Sequence, residues 1–154
     1  SPFIEKSILR ACKLKKIVVE KDVDEKNFRK VLNLGHTFAH AYESTLGFSK
    51  KLNHGEAVIL GIKSAAEFSH QSGTLSKKKL DIIMKHIDRI GMKANINNFF
   101  KKKDSNKILN FMKSDKKNNS ERINLILIKN FGKIKIDFQI NPLILKRYIF
   151  NSLK

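Results

Sequence analysis

Five polar side chains recur along residues 25–45 at a spacing that constrains the fold more than any other feature. They are separated by four, four, three and four positions: Glu25, Arg29, Asn33, His36 and His40. At 3.6 residues per turn, this spacing predicts one helix from which all five project within an arc of roughly 80°. Solvated helix faces usually carry Lys and Glu, whereas His and Asn are weak helix formers. We therefore interpret this face as one wall of a binding site.

The composition is that of a globular domain of ordinary size. The 154 residues are 41% hydrophobic and include 11 Phe, which argues against disorder and predicts a single domain over 1–154. No apolar run is long enough to span a membrane, and the first residues lack the apolar core of a secretory signal. The single Cys12 cannot form an internal disulfide. Together these features favour a cytoplasmic location and no membrane partner.

The net charge is strongly positive, with 32 Lys+Arg against 14 Asp+Glu, or +18. Such a balance is typical of chains that bind nucleic acid, an anionic membrane or a phosphorylated substrate. Here the lysines are spread over the whole length, and the basic–aromatic motif of an RNA-binding sheet is missing. We therefore expect no nucleic-acid partner and attribute most of the charge to a Lys-, Ile- and Asn-rich composition. A basic, polyanion-binding helical module stays open as the alternative of a different class.

The apolar periodicity predicts a mainly α-helical chain with one small β-hairpin. Pro2 suits the first turn of an N-terminal helix, and Asn141 followed by Pro142 suits the start of the last one. Further helices are predicted over 25–46, 54–73 and about 76–90, with a short one ending near 112, and the hairpin strands over 122–128 and 132–138. The helix over 54–73 carries small residues suited to close packing: Ala57, Gly61, Ala65 and Ala66.

A capping-box pattern fixes where the third helix begins. Asn53 can accept a hydrogen bond from the backbone of Glu56, whose side chain can reach back to the backbone of Asn53. His54 is then the first residue of that helix. From there its ring can point towards the groove lined by His36 and His40.

These three histidines are candidates for metal binding or proton transfer. His36 and His40 have the i, i+4 spacing with which two imidazoles on one helix face can share a metal. The metalloprotease motif H-E-x-x-H does not apply, because its second position here is Thr37. A catalytic zinc takes three protein ligands and leaves one position open, and the sequence offers no obvious third ligand. We expect His70 and His86 to be ordinary helix-surface histidines.

Five blocks follow one another along the chain: KKIVV at 15–19, D-x-x-E-x-x-x-R at 22–29, LNLGHTFAHAYE at 32–43, NHGEAV at 53–58 and DKK at 115–117. Their order resembles the C-terminal domain of the 3-dehydroquinate synthase family. That family reads roughly K-x-x-V-V, D-E-x-E-x-G-x-R, L-N-x-G-H-T-x-G-H-A-x-E, H-G-E-A-V and D-K-K. The resemblance covers nearly the whole chain, and the two His-containing blocks are highly specific.

The resemblance implies the helical C-terminal domain of a zinc- (or cobalt-) and NAD-dependent lyase. Such an enzyme converts the phosphorylated keto acid 3-deoxy-arabino-heptulosonate 7-phosphate into 3-dehydroquinate and phosphate in the shikimate pathway. In that family NAD transiently oxidises a ring hydroxyl, phosphate is eliminated, the hydride is returned, and an aldol step closes the carbocycle. The expected partner is therefore a phosphorylated small molecule, and the full-length enzyme is expected to form a homodimer.

The family's functional residues carry over onto matching positions of this chain. His36 and His54 match two metal ligands, and His40 and Glu25 match proton acceptors, His40 lying near the phosphate. The remaining matches are substrate contacts: Lys15, Arg29, Asn33, and one of Lys116 and Lys117.

The chain departs from the family pattern in several places. Ala39 stands where the family has Gly between the two histidines, and Val23 and Asn27 replace the usual Glu and Gly. The family's third metal ligand, a glutamate, belongs to a part of the enzyme that precedes the matched region. The NAD-binding N-terminal domain is also missing from the sequence, which has no G-x-G-x-x-G. We therefore expect a C-terminal half that is inactive alone and binds zinc weakly at best.

Related enzymes are the nearest rivals to this interpretation. Other sugar-phosphate cyclases and the metal-dependent glycerol and alcohol dehydrogenases share the architecture and the two-histidine metal site. The N-x-G-H-T and H-G-E-A-V blocks, together with D-K-K, favour the synthase.

Overall fold

The computed structural model describes residues 1–89, 91, 95–114 and 122–154, and within them the chain is mainly helical. The α-helices are α1 (Pro2–Lys21), α2 (His36–Thr45), α3 (His54–Gln71), α4 (Lys77–Arg89), α5 (Ser105–Lys113) and α6 (Pro142–Ser152). Strands β1 (Ile123–Asn130) and β2 (Lys133–Ile140) pair antiparallel, and short 3-10 helices cover Phe28–Asn33, Ile96–Asn98 and Lys102–Asp104. The predicted fold class, mainly α with one hairpin, is confirmed. None of the helices in these ranges is both long and apolar enough to cross a bilayer.

Two compact units divide the chain, Ser1–Asn33 and Leu34–Lys154. The first, the N-terminal unit, consists of α1 and the 3-10 helix Phe28–Asn33, which pack against each other. The second, the C-terminal unit, holds all the remaining elements.

The core of the C-terminal unit forms around α2 and α3. Asn53 and Asn141 cap α3 and α6 as predicted, and the Asn53–Glu56 capping box is complete. On β1, Ile123, Leu125 and Leu127 alternate into the core, as expected of a half-buried strand. The largest fully buried side chains include Phe38, Tyr42, Leu60, Phe68, Phe100, Ile108, Met112 and Leu145.

The prediction of one continuous helix over residues 25–45 is wrong. The segment is a 3-10 helix over Phe28–Asn33, then a break, then α2 from His36. At the break Gly35 has φ +81°, a left-handed conformation that glycine adopts without steric cost. A Cβ atom at Gly35 would lie 2.5 Å from the backbone nitrogen of Ile62, so close packing against α3 also requires glycine here. The five polar residues therefore do not share one helix face.

The small-residue face predicted for α3 is buried, with Ala57, Gly61, Ala65 and Ala66 all in the interior. At Gly61 the backbone of α3 packs directly against the backbone at the start of α2, since a Cβ atom at Gly61 would lie 2.2 Å from the carbonyl oxygen of Gly35. The starts of α2 and α3 are thereby held side by side.

Ser69 links α3 to the hairpin, and its replacement by alanine is expected to destabilise the fold. The fully buried Oγ of Ser69 donates to the carbonyl of Ala65 at 2.5 Å and accepts from the backbone N–H of Ile128 at 2.9 Å. Ser69→Ala leaves that buried N–H without its acceptor, at a cost of about 1–3 kcal/mol in the free energy of unfolding. Urea unfolding measures this, with the exposed Ser114→Ala as the matched control. Equal midpoints for the two variants would show that the Ser69 bond does not stabilise the hairpin.

Candidate metal centre and anion-binding loop

Three imidazole rings meet where α2 and α3 begin. His36 is the first residue of α2, His40 follows one turn later, and His54 is the first residue of α3. The ring centroids lie 5.6 Å apart for His36 and His40, 5.9 Å for His36 and His54, and 6.3 Å for His40 and His54. The structure thus brings together the three histidines that the sequence selected, and leaves His70 and His86 elsewhere on α3 and α4.

His36 has the environment of a neutral imidazole. Burial lowers its pKa below the usual 6.5, the backbone of Leu34 opposes this shift, and the neighbouring His40 and His54 reinforce it. Its Nδ1 is buried and has no hydrogen-bond partner of good geometry among the described residues. A neutral ring is suited to metal ligation, because only unprotonated imidazole binds a metal.

His54 is oriented by a carboxylate. Its Nδ1 lies 3.1 Å from Oε1 of Glu43, at the last turns of α2. The side chain of Glu43 is only 11% exposed, whereas that of His54 is 61% exposed. The imidazole edge that does not face Glu43 is therefore the edge available to a ligand.

The donor set fits part of a metal centre. His36 and His54 are two nitrogen donors on adjoining helix starts, one with a buried unsatisfied nitrogen and one held by a carboxylate. Across residues 1–89, 91, 95–114 and 122–154, no group of three His, Cys, Asp or Glu side chains is arranged to hold a metal ion.

The remaining candidates of the described chain lie in the N-terminal unit. Glu25 lies in the loop between α1 and the 3-10 helix, and Arg29 and Asn33 lie in that 3-10 helix. Glu25 has φ +55°, and its Oε1 accepts from Nδ2 of Asn33 at 2.5 Å. Nη1 of Arg29 donates to the carbonyl of Val23 at 2.8 Å. Lys15 is exposed on α1. Lys116 and Lys117 lie outside the described residues.

Asp22 organises this loop. Its carboxylate accepts from three backbone N–H groups, those of Lys26 (3.0 Å), Asn27 (2.8 Å) and Arg29 (2.9 Å). These bonds, that to Arg29 foremost, lower the pKa of the Asp22 carboxyl below 3.8, because they favour its charged form.

The loop is consequently expected to loosen in acid. A carboxyl whose pKa is lower in the folded state contributes stability that is complete above its unfolded pKa, near 3.8, and is lost as pH falls through the folded value. NMR should show the Asp22 carboxyl titrating below 3.8, with the amide of Arg29 losing hydrogen-exchange protection in the same range. In Asp22→Asn that amide should be less protected already at neutral pH. A carboxyl titrating at or above 3.8 would contradict the three bonds.

Sequence reasoning missed Glu43. Glu43 is the last residue of the LNLGHTFAHAYE block, and it lies seven residues after His36 and three after His40, which are helical spacings for a shared face. That spacing was the available signal.

Comparisons with known proteins agree on one family. The model described as 3-dehydroquinate synthase C-terminal matches residues 1–118. The 3-dehydroquinate synthase of Pelagibacter ubique is 46% identical over 153 residues, covering 99% of this chain and 42% of that protein. The enzyme of Coxiella burnetii is 36% identical over 151 residues, covering 97% of this chain and 41% of that protein. The chain thus spans about two fifths of the length of the curated relatives it matches.

Two solved structures share the fold. A crystal structure of 2-deoxy-scyllo-inosose synthase complexed with carbaglucose-6-phosphate, NAD+ and Co2+ superposes with a TM-score of 0.76 at 22% identity, covering 90% of this chain and 39% of that one. A second 2-deoxy-scyllo-inosose synthase structure gives 0.78 at 19% identity, covering 99% of this chain and 41% of that one. At these identities the likeness is one of fold, and it confirms the expected architecture.

Proposed function

Because the chain belongs to the 3-dehydroquinate synthase family, matching its C-terminal domain, we propose that it supplies the metal- and substrate-binding part of that enzyme. The reaction is the conversion of 3-deoxy-arabino-heptulosonate 7-phosphate into 3-dehydroquinate and phosphate, a carbon–oxygen lyase step of the shikimate pathway. The observation that carries the proposal is the convergence of His36, His40 and His54 at the starts of α2 and α3.

His36 and His54 would hold the metal, zinc or cobalt. A bound divalent cation supplies Lewis-acid polarisation of the hydroxyl that is oxidised. The neutral state of His36, favoured by burial, keeps its lone pair available near neutral pH. The third ligand and the NAD-binding residues come from outside the described residues.

His40 and Glu25 act as proton acceptors. His40 is exposed and carries its ring beside that of His36, so it can exchange a proton with substrate and with solvent. Glu25 accepts a hydrogen bond from the side-chain amide of Asn33, which holds its carboxylate in place.

The anionic groups of the substrate are bound by cationic and amide side chains. Arg29 uses one N–H on the carbonyl of Val23, which fixes the plane of its guanidinium and leaves further N–H groups for a carboxylate or phosphate. Asn33, the exposed Lys15, and one of Lys116 and Lys117 complete the set. A cytoplasmic location and a homodimer of the full-length enzyme belong to the same proposal.

A chimera tests this function directly. We would replace the matching segment of the Pelagibacter ubique synthase with this chain, which aligns with it over 153 residues. The chimera should form dehydroquinate from the heptulosonate phosphate with NAD and zinc, and the chain alone should form none. A folded chimera that binds zinc and NAD but yields no dehydroquinate would refute the proposed function.

Metal content tests the ligand assignment. His36→Ala combined with His54→Ala should abolish zinc binding by the chimera, since two of its three protein ligands are removed. His86→Ala, on the exposed side of α4, is the matched control and should retain the metal. Retention of zinc by the double variant, measured by elemental analysis after dialysis, would show that the ligands lie elsewhere.

A further inference from the structure

The contact between Glu43 and His54 joins the C-terminal part of α2 to the start of α3. Oε1 of Glu43 lies 3.1 Å from Nδ1 of His54. The carboxylate comes from a side chain that is 11% exposed, so the surrounding protein holds it in one place. A contact of this kind between two mobile surface groups would carry little weight, but here one partner is largely buried.

The backbone on both sides of the contact is fixed. The carbonyl of Glu43 accepts from the N–H of Phe48 at 2.9 Å, which closes the end of α2. His54 follows Asn53, whose capping box with Glu56 sets the first turn of α3. Both side chains therefore start from rigid helix termini, and the orientation of the His54 ring is set before any ligand arrives.

A carboxylate is an acceptor only, so the nitrogen that faces it carries the proton. In a neutral imidazole one nitrogen donates and the other holds a lone pair. With Nδ1–H directed at Glu43, the lone pair of His54 lies on Nε2, on the opposite side of the ring. Carboxylates that hold metal-binding histidines in this way fix the tautomer and raise the basicity of the ligand.

The geometry points to Glu43 as a positioning residue: it fixes the Nδ1–H tautomer of His54 and so presents Nε2 to a divalent cation. This inference rests on the proposed function, in which His54 is a metal ligand. Glu43 itself contacts neither metal nor substrate. Its effect reaches the metal only through the ring of His54.

The tautomer of His54 can be read without any metal. In the metal-free chain at about pH 8, well above the ordinary imidazole pKa of about 6.5, two-bond ¹H–¹⁵N spectra should show His54 protonated at Nδ1. In Glu43→Ala that preference should be lost. In Glu43→Gln it should persist, because the amide oxygen of glutamine can still accept. A wild-type ring protonated at Nε2, or a spectrum unchanged in Glu43→Ala, would overturn the inference.

Zinc affinity gives the second readout. In the chimera, Glu43→Ala should weaken zinc binding about 10–100-fold relative to the unaltered chimera, the range typical of lost outer-sphere carboxylates. Glu43→Gln, which keeps the hydrogen bond and loses the charge, should fall between them. Asp81→Asn is the charge-matched control, since it removes a carboxylate from an exposed ion pair on α4 of the same unit. If Glu43→Ala binds zinc as tightly as the Asp81→Asn control, the inference is overturned.

Failure of the proposed metal-ligand assignment and failure of the inference about Glu43 give different results. If the unaltered chimera and the chimera carrying both His36→Ala and His54→Ala show the same zinc binding, the metal-ligand assignment fails, whereas the tautomer of His54 still decides whether Glu43 positions the ring. If Glu43→Ala does not fold, Glu43→Gln decides, because glutamine preserves the shape of the side chain. A Glu43→Gln ring with no preferred tautomer would then count against the inference.

Discussion

His40→Ala is expected to lower the rate of dehydroquinate formation by the chimera by about 10²–10⁴-fold, the usual contribution of a positioned proton acceptor. The metal should stay bound, because the proposed ligands are His36 and His54 and not His40. His40 is exposed and lies beside both other rings, whereas His54 is held by Glu43 and His36 is partly buried with a lowered pKa. Steady-state kinetics and metal analysis on the same sample separate these two roles.

The controls for His40 use histidines of this chain. His86→Ala should leave the rate unchanged, since His86 is exposed on α4 and has no part in the proposed site. His36→Ala should lose metal and rate together. If His40→Ala instead loses its zinc, the ligand and proton-acceptor roles within the three-histidine cluster have been assigned the wrong way round. An unaltered rate would remove His40 from the mechanism.

Local signals in the sequence were enough to locate most helices and their ends. The Asn53–Glu56 pair and the Asn141–Pro142 pair predicted helix starts correctly, because a cap depends on residues within one turn of it. The hairpin was also predictable, since its strands alternate apolar residues and are joined by a short turn at Gly132. The Asn53–Glu56 pair correctly placed His54 at the start of α3, and the i, i+4 spacing correctly placed His36 and His40 one turn apart on α2.

The helix predicted over residues 25–45 failed because periodicity was weighed without tertiary contacts. Asp22 draws the amides of Lys26, Asn27 and Arg29 towards its carboxylate, and Gly35 turns the chain where α3 lies against it. Neither the hydrogen bonds to Asp22 nor the packing at Gly35 follows a helical repeat, so the spacing of residues in the sequence does not reveal them. Glycine within an otherwise helical pattern was the one visible warning.

Glu43 was missed for a related reason. Its importance depends on how α3 packs against α2, which places His54 beside the last turns of the preceding helix. A helical spacing from His36 and His40 shows that Glu43 shares their face, but only the packing shows which side chain it meets. Side-chain contacts between different helices of the unit are therefore the part of the site that local sequence patterns do not predict.

The packing of α2 against α3 rests on two glycines, so we expect Gly61→Ala to be severely destabilising. The added Cβ atom would lie 2.2 Å from the carbonyl oxygen of Gly35 and 3.0 Å from the backbone nitrogen of Ala39. Those two groups form the first hydrogen bond of α2, at 2.9 Å. Because the obstructing atoms belong to the backbone, no side-chain rotation can relieve the overlap, and the two helices must separate.

Gly61→Ala should therefore lower the free energy of unfolding by about 3 kcal/mol, the upper end of the usual cost of overpacking. Gly55→Ala is its matched control within α3. There the new Cβ atom would meet only Oδ1 of Asn53, at 3.5 Å, and alanine favours a helix over glycine by about 0.5–1 kcal/mol. The urea unfolding midpoint should thus fall in Gly61→Ala and rise in Gly55→Ala.

Any Gly61→Ala protein that folds should also bind zinc more weakly, because His36 and His54 are carried on the two helices being forced apart. Similar midpoints for the two variants would mean that α2 and α3 do not approach as closely as this packing requires.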